Sequence, residues 1–255
     1  MLSPPSDRKW ERILLYGGPD AGKTTAIVNI AEVITFTGGD SHIWHVDTDN
    51  AWMANDPGGL DGTVTVFDVN DYAEWLSALS EIRGKAKPGD WLTIDMVDKA
   101  WDMSQEEFWA KLTGRTVGDV FMAAKRDEIN MAGSHGSNWT VINKMYRDIS
   151  NQLQRWRGHV LACTPQTDVR EPDRQGKGGD SPDVRDTFGR VGVRPQGQKH
   201  LPHLFHSVIL LQHNPRGWTA TTIKERWRGR ERMKGEGLGD GFALGYLVKY
   251  AGWTI

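Results

Sequence analysis

The segment GGPDAGKTT, which begins at Gly17, combines residue types that can bind phosphate. It follows the apolar run ILLY and precedes a run compatible with a helix, which is the strand–loop–helix context of a phosphate loop. Gly17 and Gly22 let the backbone N–H groups face an anion. Lys23 can place charge on the terminal phosphates, and Thr24 can offer a hydroxyl to Mg²⁺. The pattern predicts a nucleoside triphosphate site. Its residues are Gly17, Gly18, Pro19, Asp20, Ala21, Gly22, Lys23, Thr24 and Thr25.

Acidic residues follow two further apolar runs. Asp95 ends the run WLTI, while Asp47 and Asp49 follow HIWHV. In an open α/β sheet the ligand site lies at the carboxyl ends of the strands, so these carboxylates are expected near the phosphate loop. Asp95 is the predicted partner of Thr24 for Mg²⁺. Either Asp47 or Asp49 can orient and deprotonate a water molecule, or cap the next segment, and we favour Asp49 for catalysis.

Two more strand ends carry polar side chains. Gln166 follows the run HVLACT, where its amide can sense the terminal phosphate, and Lys23, Asp49 and Gln166 form the predicted catalytic set. Lys224 and Arg226 follow the run TATTI. Cations at this position can complete the site of a neighbouring subunit, although a solvated charged surface is the alternative.

Strand-like and helix-like segments alternate through the first two-thirds of the chain. This alternation predicts an α/β fold with a mainly parallel sheet flanked by helices, and antiparallel strands toward the C-terminus. Residues 1–11 are predicted to be a flexible leader, and residues 12–255 a single domain. Residues 167–199 have few apolar side chains and predict a long mobile loop. The segment YLVKY near the C-terminus is predicted to be a strand.

The composition excludes several classes of protein. The 255 residues carry a net charge of −2, no apolar run long enough for a membrane span, and one cysteine. The first ten residues lack the apolar core of a signal peptide. We therefore expect a cytoplasmic protein without disulfides or membrane contact, in a bacterial host if a phage encodes it. The net charge of the whole chain does not indicate a nucleic-acid partner, but the segment KERWRGRERMK is strongly basic.

The order of these motifs resembles that of the RecA-like ATPases, and most closely the shortened RecA-like proteins of bacteriophages that promote single-strand annealing and recombination. The similarity covers about residues 12–230. GGPDAGKTT resembles the phosphate loop, HVDTDNAW the segment with the catalytic glutamate, and WLTID the second Walker motif. ACTPQTDVR resembles the glutamine that leads into a DNA-binding loop, and TIKERWR the basic pair that crosses the subunit interface.

The resemblance implies an ATPase that uses ATP and Mg²⁺, is stimulated by DNA, binds single-stranded DNA and assembles into a homo-oligomeric ring or filament. Asp49 replaces the usual glutamate, and the segment before the first strand is too short for RecA's polymerisation element. The residues that would contact DNA are Trp139, Arg170, Arg174, Lys177, Arg185, Arg190 and Arg194, with Phe188 as a second ring for stacking on bases.

Three other functions remain open on the sequence. A phosphotransferase with a small substrate would use residues 167–199 as a lid, but Asp49 and Gln166 suit attack by water better. A helicase or DNA-packaging motor is the second, although a packaging ATPase usually carries an acidic pair after the second Walker strand. Here Met96 and Val97 separate Asp95 from Asp98. The third is a regulatory module that binds a nucleotide and barely hydrolyses it.

Overall fold

A central sheet of nine strands organises the protein. The computed structural model describes residues 2–6, 10–55, 57–125, 135–174, 178–239 and 241–255, with the side chains of 135–137 excepted. The strands are β1 (Arg12–Gly17), β2 (Ile43–Asp47), β3 (Val64–Asp68), β4 (Trp91–Asp95), β5 (His159–Asp168), β6 (Val193–Pro195), β7 (Ser207–Asn214), β8 (Gly217–Glu225) and β9 (Lys234–Gly237).

Seven α-helices, one 3-10 helix and one π-helix accompany the sheet in the described residues. They are α1 (Lys23–Phe36), α2 (Ala51–Asn55), α3 (Tyr72–Lys85), α4 (Lys99–Thr113), α5 (Val117–Lys125), α6 (His135–Gln154), α7 (Pro182–Phe188), a 3-10 helix (Leu201–Leu204) and a π-helix (Ala243–Val248). Of the helices that the structure describes, none is both long enough and apolar enough to cross a membrane.

The strand order is β3-β2-β4-β5-β1-β7-β8-β9, with β6 paired to β5 outside this path. The strands from β3 to β7 in this order run parallel to one another. β8 and β9 extend the sheet in antiparallel fashion. The predicted α/β fold, with antiparallel strands toward the C-terminus, is therefore confirmed. The carboxyl ends of all six parallel strands meet at one edge of the sheet.

Side chains of β1 alternate between two cores. Ile13 and Leu15 pack with α1 and the π-helix on one face, whereas Leu14 and Tyr16 pack with α3, α4, α6 and α7 on the other. All four side chains are fully buried. A central parallel strand covered on both faces reads as a continuous apolar run, which is why ILLY was recognisable as a strand. The phosphate loop therefore follows a fully buried strand in the interior of the sheet.

The C-terminal segment YLVKY was predicted to be a strand, and this prediction is wrong. Its first residues belong to the π-helix, where Tyr246 and Leu247 are buried in the core beside α1. The Ala243 N–H donates to Asn29 Oδ1 on α1 at 2.8 Å, which fixes the start of the segment. Apolar residues that cover a helix can take a helical form despite their β propensity.

Residues 167–199 contain more regular structure than predicted. β5 continues to Asp168, and Gln166 pairs with Pro195 where β6 joins it. α7 follows, and Phe188 at its end is only 3% exposed. Its ring packs edge-on against Tyr16 at 6.1 Å between centroids. Phe188 is therefore a core residue, and its predicted stacking on bases is wrong.

The described residues of the predicted flexible leader contact the C-terminal segment. Leu2 is buried, and Ser3 and Thr254 exchange two backbone hydrogen bonds of 2.8 and 3.0 Å. Glu11 forms a buried ion pair with Arg230 at 2.6 Å. Ser3 and Thr254 thus form an isolated antiparallel β-bridge.

A buried histidine at the start of β5 predicts sensitivity to acid. His159 Nδ1 accepts the Glu11 N–H at 3.1 Å, and burial and the charge of Arg12 lower the pKa of His159 to about 3 from 6.5. Below pH 6.5 the unfolded chain binds a proton here that the folded chain does not, so the free energy of unfolding falls as the pH falls. The expected loss is about 1.4 kcal/mol per pH unit between roughly pH 6 and pH 4.

Urea denaturation across this pH range provides the measurement. The variant His159→Asn keeps an acceptor for the Glu11 N–H but cannot titrate, so its stability is expected to depend less steeply on pH. Since buried His45 contributes a slope of the same sign, the wild type and the variant are compared at each pH. Equal slopes for both proteins would contradict the prediction.

Candidate active site

The phosphate loop leaves β1 through close backbone contacts. A side chain at Gly17 would overlap the Leu211 carbonyl and approach the Ala21 Cβ to 2.8 Å, so only glycine fits there. Gly22, at the start of α1, has φ of 84°, a conformation that favours glycine. The helix directs its positive end toward the loop. The sequence pattern therefore identified a loop whose backbone conformation requires its glycines.

Lys23 lies over the loop that precedes it. Its side chain is almost fully buried, and Nζ donates to the carbonyls of Gly17 at 3.2 Å and Gly18 at 2.8 Å. An ammonium held by two carbonyls can exchange these acceptors for phosphate oxygens. The predicted phosphate-binding lysine is thus at the mouth of the loop.

Thr24 and Asp95 meet as predicted for a magnesium site. Thr24 Oγ1 donates to Asp95 Oδ2 at 2.5 Å. Asp95 is fully buried, and its Oδ1 has no hydrogen-bond partner among the described residues. Burial raises the pKa of Asp95 to about 7, and the negative charges of Asp49 and Asp47 act in the same direction. A buried carboxylate with an unsatisfied oxygen beside a hydroxyl fits Mg²⁺, because a cation would satisfy the oxygen and offset the burial.

The two carboxylates after β2 have different environments. Buried Asp47 accepts the backbone N–H groups of Asp49, Ala51 and Trp52 at 3.2, 3.3 and 2.9 Å, and so holds the start of α2. Asp49 is exposed and accepts only from Ala51 among these bonds. Partial desolvation and the neighbouring Asp47 carboxylate raise the pKa of Asp49. Asp47 is therefore structural, and Asp49 is the carboxylate available to a water molecule.

This difference predicts separate effects for two isosteric substitutions. Asp49→Asn is expected to lower the hydrolysis rate about a hundredfold while leaving the thermal unfolding temperature unchanged, because it removes a general base. Asp47→Asn is expected to lower the unfolding temperature, because an amide accepts fewer of the three N–H groups. Steady-state phosphate release and thermal denaturation measure both. A stable, inactive Asp47→Asn variant beside an active Asp49→Asn variant would reverse the assignment.

Thr48 joins the ends of β2 and β4. Its N–H donates to the Asp95 carbonyl at 2.7 Å, and its hydroxyl bonds to both the N–H and the carbonyl of Met96, at 2.7 and 3.1 Å. These bonds fix Asp95 relative to Asp49. Thr48 was not among the predicted site residues, although its position between the two aspartates of HVDTDN was a signal.

Gln166 lies within β5 rather than after it, and it is exposed. A Cβ placed on Gly18 would be 3.8 Å from its Nε2, so the amide faces the phosphate loop. Its position suits the predicted sensing role, which stays a prediction.

Trp218 is a neighbour of the phosphate loop that was not among the predicted site residues. It is the second residue of β8, and its indole N–H donates to the Asp20 carbonyl inside the loop at 3.1 Å. Its ring stacks on His213 of β7, with centroids 4.7 Å apart and planes at 19°. Asp20 has φ of 56°, so the indole supports a loop residue in a conformation uncommon outside glycine. The hairpin of β7 and β8 is therefore part of the site.

Lys224 and Arg226 lie far from this loop. β8 is antiparallel to β7, and Lys224 pairs with Val208 at the amino end of β7. Lys224 Nζ donates to the carbonyls of Pro202 and Phe205 at 2.6 and 3.1 Å. Arg226 is exposed. Neither side chain completes the site of its own chain, and their action on a neighbouring subunit stays a prediction.

The predicted DNA contacts differ in their surroundings. Arg194 bonds to the buried Asp180 at 2.9 Å, and Arg185 to Glu171 at 3.3 Å. Arg170, Arg174 and Arg190 are exposed, whereas Lys177 lies outside the described residues.

Trp139, the other predicted DNA contact, is 39% exposed and stacks on Trp101, with centroids 6.0 Å apart. Arg194 is the least suited of the set to phosphate, because its charge is already paired with that of a buried carboxylate.

A family model described as an AAA domain matches residues 9–233, which include every residue of the site. Among curated proteins, none matches the chain.

Proposed function

The chain belongs to the AAA domain family whose model spans residues 9–233, and we propose that it hydrolyses ATP in a cycle coupled to single-stranded DNA. Membership of this family makes it a P-loop nucleotide-binding domain of the ATPase type. Annealing or recombination of DNA strands is the activity that we propose beyond this.

The observation that carries the proposed hydrolysis is the meeting of four side chains at one sheet edge. Lys23 lies at the loop mouth, Thr24 and Asp95 share a 2.5 Å hydrogen bond, and exposed Asp49 follows the adjacent strand. Lys23 would neutralise charge on the terminal phosphates, and Asp49 would orient water and accept its proton. Mg²⁺ held by Thr24 and Asp95 would supply further neutralisation of the phosphates. Gln166 would sense the terminal phosphate from β5.

The RecA-like part of the proposal is supported by the order of the motifs along the chain. Asp49 follows β2, Asp95 ends β4 and Gln166 lies near the end of β5, in the same order as in the RecA-like proteins, and all lie at the edge with the phosphate loop. We propose that subunits assemble into a ring or filament in which Lys224 and Arg226 approach the nucleotide of a neighbour. The exposure of Arg226, on the edge opposite to its own phosphate loop, supports a role between subunits.

Hydrolysis measured without nucleic acid, with single-stranded DNA and with double-stranded DNA tests this proposal. Stimulation by single-stranded DNA alone is the expected result. Stimulation by double-stranded DNA alone would favour a DNA motor. Indifference to both forms at low salt would contradict the coupling, and transfer of phosphate to a small acceptor would identify a phosphotransferase instead.

A further inference from the structure

A long groove crosses the face of the sheet that carries α6 and α7. One part, of about 1100 Å³, lies between α7, the 3-10 helix and the strands β8 and β9. The other, of about 600 Å³, lies between α6 and the 3-10 helix. His200 lines both parts, so the two cavities adjoin. We infer that this groove binds a single strand of nucleic acid, an inference that rests on the proposed function.

The first reason is the charge of the groove. Its two carboxylates are Asp183 and Asp186. Its cations outnumber them: Arg147, Arg190, Lys199, Lys224, Arg232 and Lys234. The whole chain has a net charge of −2, so the cations of the groove reflect a local concentration rather than a basic protein. Such a concentration attracts a polyanion, and it releases counterions when the polyanion binds.

The positive charges of the groove also repel one another. Burial lowers the pKa of Lys224 to about 8, and the charge of Arg226 acts in the same direction. The pKa of His203 is lowered by burial, then by Lys224 and His200, although Asp183 opposes this shift. The charge of Lys224 is thus one cause of the lowered pKa of His203, so these two positive groups of the groove lie close enough to repel each other. A phosphate backbone would relieve this repulsion.

The part of the groove beside α6 carries polar side chains that suit nucleic acid better than a second copy of the chain. Amide and hydroxyl side chains line the part beside α6: Thr140, Asn143, Ser150, Asn151, Gln154 and Gln198. These groups can bond to phosphate, sugar and base edges. Apolar residues line the groove as well, but its aromatic side chains, Phe188 and Tyr146, are only 3% and 6% exposed, so they present little surface to a second copy.

The cations of the groove come from separate elements, which gives them the spread that an extended strand requires. Arg147 lies on α6, Lys199 precedes the 3-10 helix, and Arg232 precedes β9. All three are exposed, and no ion pair is formed by any of them with a described residue. Arg185 and Arg194, by contrast, each form an ion pair with a carboxylate.

Binding of a fluorescent single-stranded oligonucleotide, measured by anisotropy over a range of salt, tests the inference. The triple variant Arg147→Gln, Lys199→Gln and Arg232→Gln removes three charges from the groove. It is expected to weaken binding about a hundredfold at roughly 0.1 M salt and to reduce the slope of log affinity against log salt by about 2. The matched control replaces three exposed cations outside the groove by glutamine: Arg83, Lys85 and Lys111. This control variant is expected to keep the wild-type slope of log affinity against log salt.

Other outcomes separate the groove from the rest of the proposal. A second triple variant combines Arg170→Gln, Arg174→Gln and Arg185→Gln. If this variant had a reduced slope of log affinity against log salt while the groove variant kept the wild-type slope, DNA would bind the predicted loop. The groove inference would then fail, while the proposed DNA function would stand. If the wild type bound no single strand, both the inference and the proposed DNA function would fail. If the groove variant changed only the sedimentation of the protein, the groove would be an interface between copies. Thermal denaturation confirms that each variant is folded.

Discussion

Replacement of Lys23 by alanine is expected to lower the rate of ATP hydrolysis by a factor of about a hundred to a thousand. The reason is that this ammonium is the positive charge at the mouth of the phosphate loop, held there by the carbonyls of Gly17 and Gly18. Alanine leaves the two carbonyls facing the phosphates with no cation between them. Phosphate release over time, with and without DNA, gives the measurement.

A matched control comes from Lys99, an exposed lysine at the start of α4 that follows the same sheet edge. Lys99→Ala changes the net charge equally but is expected to leave hydrolysis nearly unchanged. If both variants lost activity to the same extent, general electrostatics rather than the position of Lys23 would explain the effect. If Lys23→Ala hydrolysed ATP at the wild-type rate, the assignment of the site would be wrong.

Replacement of Asp95 by asparagine is expected to abolish hydrolysis and yet to stabilise the protein. Asparagine can keep the contact with Thr24, but it has no charge for Mg²⁺. Because burial raises the pKa of Asp95 to about 7, the charged carboxylate destabilises the folded state at pH 8. Its removal should raise the free energy of unfolding there by on the order of 2 kcal/mol, measured without nucleotide or metal.

Asp98 provides the control for this prediction. It is also buried, burial raises its pKa to about 6, and it lies three residues further along the chain. Asp98→Asn should also stabilise the protein, while hydrolysis persists, because its carboxylate is not part of the site with Thr24. Loss of activity in both variants, or loss of stability in Asp95→Asn, would contradict the proposed role of Asp95.

The parts of the site that the sequence revealed are those determined by short segments. Glycine spacing and a preceding apolar run were enough for the phosphate loop. Asp95 could be placed because it ends such a run, and parallel strands end at the same edge. The different roles of Asp47 and Asp49 were also partly predictable from the sequence, since capping of the next segment was one of the two alternatives considered for these residues.

Long-range contacts account for what the sequence did not reveal. Trp218 and Asp20 are 198 residues apart, and no local pattern joins an indole to a phosphate loop. The ion pair of Arg194 with buried Asp180 depends on the pairing of β6 with β5, which are separated in sequence by a segment that contains α7. Composition alone made residues 167–199 look like a mobile loop because their apolar side chains are few, although Phe188 is buried and Val184 and Val191 pack against the same core.

The strand β8 reaches both the nucleotide site and the groove. Trp218, near its first residue, bonds to the phosphate loop, and Thr221, Thr222, Ile223 and Lys224, near its end, line the groove. One continuous strand therefore gives the two sites a shared structural element. If occupancy of the groove multiplies the affinity for nucleotide by some factor, nucleotide must multiply the affinity of the groove for its ligand by the same factor. The cycle of hydrolysis would then release and rebind the single strand of nucleic acid in the groove, at a rate that the nucleotide site determines.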